Sequence, residues 1–148
     1  MNLFGNRLAV LTYHSVLDVP DLLRPFEVDR QTFSRQVKTL RRFYNVVSLR
    51  DGLAQLKNRT LPSRAVAITF DDGYKDNLTN ALPILRDAGV SATFFIATGY
   101  SDGGAMFNDL VIEAMRNSNG SAIELPGTGR RIEPGSTAVE RRNAIQAV

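Results

Sequence analysis

The chain has 148 residues, 43% hydrophobic and 22% charged, with no cysteine, no tryptophan and a single histidine, His14. That length supports one ordinary domain, able to bury roughly two thirds of its unfolded surface. The absence of cysteine excludes disulfides, zinc fingers, iron–sulfur clusters and a thiol nucleophile, and one histidine excludes a site taking two imidazoles from this chain.

Lysine and arginine number 18 against 15 acidic residues, a net charge of +3. The densest basic groups, Arg41-Arg42, Arg130-Arg131 and Arg141-Arg142, read as solvated helix faces and loop ends, so no nucleic-acid partner is expected. No stretch approaches the ~18 apolar residues of a membrane span. The start, Met1 to Arg7, lacks the basic region and apolar run of a signal peptide, which leaves a cytoplasmic location as the default expectation.

Strand-like and helix-like segments alternate along the chain, the pattern of an α/β protein with a largely parallel sheet. Leu8 to Thr12 is a short apolar run ending in Tyr13-His14, and Asp18 to Pro25 is a loop with two prolines. Phe33, Val37, Leu40 and Phe43 or Tyr44 recur at helical spacing, with Arg35, Lys38, Arg41 and Arg42 between them. Asn45 to Leu49 is a brief strand. Ser48 and Asp51 form a capping box that starts a helix to about Lys57, with Leu53 and Leu56 inward.

Ala65 to Phe70, Ala-Val-Ala-Ile-Thr-Phe, is the clearest strand, a near-continuous apolar run suited to a sheet covered on both faces. It stops at Asp71-Asp72-Gly73. A helix from Asp76 or Asn77 to Ala88 carries Leu78, Leu82 and Leu85 inward and ends at Gly89. Pro83 inside it implies a kink or a later start. Ser91 to Thr98 is another buried strand, Gly99 to Gly104 a glycine-rich loop, and Asn108 or Asp109 caps a helix to about Asn117. Ala122 to Leu125 and Arg130 to Ile132 form a small hairpin around Gly127-Thr-Gly129. Thr137 to Val148 is a helix with a capping box at Thr137 and Glu140 and no stop signal.

The chemistry concentrates where the clearest strand ends. Alternation puts Val66, Ile68 and Phe70 on one face and Ala67, Thr69 and Asp71 on the other. Asp71 thus sits at the strand's C-terminal end, where α/β folds place their sites, and Asp72 is angled away by the turn at Gly73. Two adjacent carboxylates so placed can hold different jobs in metal-assisted hydrolysis, since a bound cation keeps both ionised. The same residues also suit a plain turn and helix cap, with the aspartate accepting backbone N–H bonds.

Thr69-Phe-Asp-Asp-Gly73 resembles the first signature motif of the polysaccharide deacetylase family, the NodB-homology or fourth carbohydrate esterase family. Leu11-Thr-Tyr-His-Ser-Val16 resembles the family's N-terminal Tyr-His strand end. Ala65 to Tyr74, Ala81 to Leu85 and Ala92 to Ile96 resemble consecutive blocks of the same domain, so the likeness covers residues 8–117. It implies an α/β fold, a distorted (β/α) barrel of the NodB-homology type, that removes N-acetyl groups from amino sugars of a polysaccharide with one divalent metal, commonly zinc. By the resemblance Asp71 is the general base and Asp72 the single carboxylate ligand.

A metal lowers the pKa of bound water to about 7 and polarises the acetyl carbonyl, and a nearby carboxylate completes the activation. The family's other two ligands come from a downstream His-(Ser/Thr)-x-x-His motif, which these residues lack. His14 then contacts substrate or supports the site, or its ring bonds a backbone group at the strand end. Tyr74 and Asn77 are candidates for the rim, and Asn108 and Asp109 are weaker ones, Tyr74 also fitting a packing role and Asp109 a capping role.

The leading expectation is therefore one partial NodB-homology domain over 1–148, with 118–148 an insertion and a truncated helix. It holds the base and one ligand of a deacetylase, with metal weakly held or absent in this chain. The alternative is a non-catalytic carbohydrate-binding or inactive truncated homologue. A metal-free glycosidase using the two aspartates is opposed by geometry, because such pairs stand roughly 5 to 9 Å apart across the scissile bond, usually on different elements.

Overall fold

The computed structural model describes residues 6–124 and 129–146, which fall into two compact units. One comprises residues up to Pro20 together with Glu27–Ala97, the other Asp21–Phe26 together with residues from Thr98 onward.

The first unit is built on strand β5 (Ala65–Phe70), all six residues of which are buried, as its apolar run requires. Strand β1 (Leu8–Tyr13) pairs with it in parallel along its whole length, Leu8 opposite Ala65 through Tyr13 opposite Phe70. The other edge of β5 is shared by two parallel two-residue strands. β4 (Asn45–Val46) takes the start and β6 (Thr93–Phe94) takes the end. A separate parallel pair joins β2 (Val16–Leu17) to β3 (Val28–Asp29).

Among the described residues this four-stranded sheet does not close into the barrel that the resemblance implied. Closure with a filled interior takes about eight strands. β1 pairs with β5 alone in its sheet, and its Val10 and Leu11 are exposed.

Helix α1 (Arg30–Phe43) buries Phe33, Val37 and Leu40 at the expected spacing, while Phe43 and Tyr44 at its end are exposed. Asp29 caps it, accepting from the Thr32 amide at 2.7 Å. Hydrogen bonds from the Thr32 side chain and amide hold the Asp29 carboxyl below the usual range. Arg41 and Arg42 lie on the wet side, as their spacing indicated, with Arg42 over the Phe43 ring.

Helix α2 (Leu49–Asn58) starts at the expected capping box, with the Ser48 hydroxyl accepting from the Asp51 amide at 3.0 Å. Its inward face differs from expectation, for Leu53 is exposed and Gly52 is buried. A Cβ at Gly52 would stand 3.0 Å from both Leu8 and Val47 side chains, so the helix approaches the sheet over its glycine.

The helix after the double aspartate also departs from a plain α-helical reading. Asn77–Ala81 is a π-helical turn, closed by the Leu82 amide on the Asn77 carbonyl, and helix α3 (Leu82–Ala88) begins only there. Pro83 has no N–H to extend the earlier ladder. The extra residue of a π turn shifts the face by one position, so Asn77, Asn80 and Ala81 turn inward and Leu78 is left exposed. Gly89 ends α3 in the left-handed region at φ 62°, as expected of a cap.

β6 is shorter than the buried strand expected from Ser91 to Thr98, and Phe95 and Ile96 are exposed. β4 occupies the Ala65 and Val66 end of that β5 edge, and β6 pairs only with its last two residues, Thr69 and Phe70.

In the second unit, helix α4 (Phe107–Asn117) begins after Met106 without a side-chain cap, so neither Asn108 nor Asp109 caps it. Asp109 instead pairs with Arg24 at 2.7 Å. β7 (Ile123–Glu124) and β8 (Arg131–Ile132) form the expected antiparallel pair, although Leu125 and Gly127 of that hairpin lie outside the described residues. Helix α5 (Ala138–Gln146) carries the expected capping box: the Glu140 amide donates to the Thr137 hydroxyl, and Glu140 Oε2 accepts from the Thr137 and Ser136 amides. The Arg141 guanidinium donates to the Met115, Arg116 and Ser118 carbonyls and so closes the end of α4.

The core of the first unit joins Val66, Ile68 and Phe70 to Val16, Phe33, Val37, Leu40 and Leu85. Phe70 lies at its centre, stacked between Tyr13 at 5.4 Å and Phe94 at 4.9 Å and edge-on to Phe33 at 5.7 Å. Each such pair contributes about 0.5–1.5 kcal/mol beyond burial. Phe70→Ala is expected to destabilise the protein by about 3–5 kcal/mol in urea unfolding, and Phe70→Leu by less.

Candidate active site

The row of rings formed by Tyr13, Phe70 and Phe94 fixes what comes next on each strand, because these are the residues opposite one another at the C-terminal end of β1, β5 and β6. One residue further, the chain turns its side chains to the opposite face. That face carries Thr12 and Thr69, whose hydroxyls meet at 3.0 Å, and the same alternation places Asp71 on it.

The backbone of the double aspartate is held from both sides. The Asp71 amide donates to the Tyr13 carbonyl at 2.9 Å, carrying the β1–β5 ladder one residue past the strand. The Phe95 amide donates to the Phe70 carbonyl at 2.8 Å, and the Ala97 amide donates to the Asp72 carbonyl at 3.2 Å. Both aspartates are partly buried.

Asp72 and Gly73 lie in the left-handed region, at φ 71° and 76°, and the Gly73 amide donates to the Asp71 carbonyl at 2.9 Å. Aspartate tolerates this region better than most residues, and glycine adopts it without a steric penalty. Gly73 meets a second constraint, since a Cβ there would lie 2.8 Å from Ile96 Cδ1. The Asp-Asp-Gly turn is thus shaped by its backbone, through the two positive φ values and the Gly73 amide bond.

The remaining candidates are distributed around this turn. His14 is exposed, at the residue after β1. Tyr74 is partly buried and lines an apolar hollow of about 220 Å³ with Gly73, Leu82, Phe94 and Ile96. Asn77 borders the same hollow but is only 4% exposed, with its amide nitrogen donating to the His14 carbonyl at 2.7 Å. Tyr13, beneath the site, donates its hydroxyl to Gln36 at 2.9 Å, and burial raises its pKa above the phenolic range.

Ser15, Asp76 and Asn80 were not singled out in the sequence. Asp76 accepts from the Ser15 hydroxyl and from the Val16 amide, and Asn80 donates to the Val16 carbonyl at 2.7 Å. A plain α-helical reading puts Asp76 and Asn80 on the side opposite Leu78, Leu82 and Leu85, so their inward placement carried no signal in the sequence.

Among the described residues, no three histidine, cysteine, aspartate or glutamate side chains come together as a metal-holding group. Asp72 can offer one carboxylate, and the donors present fall short of a complete divalent-metal site.

Paired carboxylates thus stand at the end of the central strand of an α/β sheet, and comparison with known proteins shows what this region is similar to. Residues 58–126, including Asp71-Asp72-Gly73, match the polysaccharide deacetylase family model. The chain is 34% identical over 92 residues to YxkH of Bacillus subtilis, covering 61% of this chain and 32% of that protein. It is 33% identical over 79 residues to a poly-β-1,6-N-acetyl-D-glucosamine N-deacetylase of Staphylococcus aureus, covering 53% of this chain and 27% of that protein. In structure it is similar to IcaB from Ammonifex degensii, with a TM-score of 0.59 and 29% identity over 68% of this chain and 42% of that one. These matches show the resemblance to polysaccharide deacetylases over part of the chain. The chain spans about a third, or less, of the length of these curated relatives.

Gly73→Ala is expected to destabilise the protein by about 1–3 kcal/mol, through the left-handed backbone and the contact with Ile96. Adding Ile96→Ala should recover the steric part alone. Urea unfolding of the two single variants and the double variant measures both parts, and full recovery would show that backbone conformation contributes nothing.

Proposed function

We propose that this chain supplies part of the active site of a metal-dependent hydrolase that removes N-acetyl groups from the amino sugars of a polysaccharide. The observation that carries the reading is the fixed Asp71-Asp72-Gly73 turn within the region matching the deacetylase family. The S. aureus relative is named for an N-acetylated glucosamine polymer, which supports that substrate class.

In this reading Asp71 is the general base. It leaves β5 on the face of Thr69, with its backbone fixed by Tyr13, so its carboxylate needs little reorganisation to take a proton from an attacking water. Asp72, turned away by its positive φ, is the carboxylate metal ligand, and residues other than those described complete the set. A divalent metal, zinc by the family's habit, supplies Lewis acidity when bound. His14 and Tyr74 contact the sugar at the rim, and Asn77, buried beneath them, holds the His14 backbone.

Two measurements test this. The 148 residues alone should bind zinc weakly in a calorimetric titration and release no acetate from an acetylated chito-oligosaccharide; tight one-to-one binding with turnover overturns the incomplete donor set. In a protein carrying this chain together with a His-(Ser/Thr)-x-x-His segment, Asp71→Asn should lower acetate release by about 10²–10⁴-fold with zinc retained. Asp72→Asn should lose zinc as well, and equal zinc loss in both variants contradicts the assigned roles.

A further inference from the structure

The three residues after β1 have their polar groups held chiefly by side chains. The Ser15 amide donates to Glu27 Oε2 at 3.1 Å, the Ser15 hydroxyl donates to Asp76 Oδ2, and the Val16 amide donates to Asp76 Oδ1 at 3.2 Å. The His14 and Val16 carbonyls accept from the side-chain amides of Asn77 and Asn80, both at 2.7 Å. Asp76, Asn77 and Asn80 come from the stretch that begins two residues beyond Tyr74 and runs through the π-helical turn.

Pro83 interrupts the regular ladder after that turn, but does not decide which side chains the turn buries. Regular α-helix would point Leu78 at the core, whereas the π turn leaves Leu78 66% exposed and buries Asn77 at 4% and Asn80 at 6%. Apolar burial is given up for polar grip, and the Asn77 Oδ1 is even left buried without a partner. Its amide nitrogen lies between two acceptors, the His14 carbonyl and Asp76 Oδ1, which fixes the orientation of the group. The one apolar side chain that the turn buries in the core is the small Ala81. The segment that gains is His14 to Val16.

We propose that Asp76, with Asn77 and Asn80, is a positioning clasp that fixes His14 beside the Asp71-Asp72 turn. The clasp closes a short circuit. β5 ends at the double aspartate, the chain turns at Gly73, Asp76 reaches back to Ser15 and Val16, and the Tyr13 carbonyl returns to the Asp71 amide. His14 lies between the two closures, tied through its own carbonyl to Asn77. What the clasp serves rests on the deacetylase reading, while its existence does not.

The single histidine makes the test direct, because the imidazole signals in a ¹H–¹³C NMR spectrum belong to His14 alone. In Asp76→Ala these signals should move toward their position in the urea-unfolded chain. Amide exchange at Val16 should accelerate by at least about tenfold, the equivalent of one charge-assisted hydrogen bond. The ring-shifted signals of Tyr13, Phe33, Phe70 and Phe94 should stay in place. Asp76→Asn keeps an acceptor for Val16 and offers a donor to the Ser15 hydroxyl, so its His14 signals should match the unsubstituted protein.

If Asp76→Ala does not fold, Ser15→Ala is read in its place, with a smaller shift in the same direction. The clasp is overturned if the His14 signals do not move, if Asp76→Asn behaves as Asp76→Ala, or if the aromatic signals are lost along with the His14 shift in both Asp76→Ala and Ser15→Ala. Acetate release plays no part in this measurement, so either proposal can fail while the other stands.

Discussion

Three backbone hydrogen bonds at the end of β5 set the geometry on which the site depends. The Tyr13 carbonyl takes the Asp71 amide on one side, while the Phe70 and Asp72 carbonyls take the Phe95 and Ala97 amides on the other. A loop that leaves a strand is ordinarily free to wander once pairing stops. Here pairing on both edges continues past the last strand residue, so Asp71 and Asp72 inherit the rigidity of the sheet. β6 has only two residues, yet it pairs at Thr69 and Phe70, the end of β5 where the constraint is needed.

The aromatic row beneath explains why this end of the strand stays fixed. Tyr13, Phe70 and Phe94 stack across three strands with Phe33 closing the side, so the register of all three strands is pinned by rings that cannot slip a residue without facing solvent. Register in turn decides the face of every later residue. A shift of one position would place Asp71 among the rings and Phe70 on the face of Thr69. The face that Asp71 takes therefore depends on packing one residue earlier.

What could be read from the sequence was what local physics decides. The apolar run of β5, the spacing of Phe33, Val37 and Leu40, and the two capping boxes at Ser48 and Thr137 all rest on neighbours within a few residues. Leu53 and Leu78 were misplaced because their faces are set from a distance. Gly52 turns inward because Leu8 and Val47 come close to its backbone, and Leu78 turns out because a π turn shifts the helix by one residue. The double aspartate stood out by adjacency after a strand. The Asp76 contacts did not, since Ser15 and Val16 lie about 60 positions earlier in the chain.

Asp72 bears most directly on whether the turn is only a turn. Its φ of 71° could be met at lower cost by glycine or asparagine. Gly73 has less latitude, because at φ 76° a Cβ is strained and would also require the Ile96 side chain to shift. A structural requirement thus accounts for Gly73 but not for a carboxylate at Asp72, and an unfavourable backbone at a residue with a reactive side chain supports a functional hypothesis for that side chain. A carboxylate presented from a fixed backbone has already met the ordering cost that a flexible ligand would meet on binding a metal. A partial donor set can therefore be preorganised, and in the proposed division between Asp71 as base and Asp72 as ligand the turn already present supplies the placement of both backbones, while further donors complete the metal site.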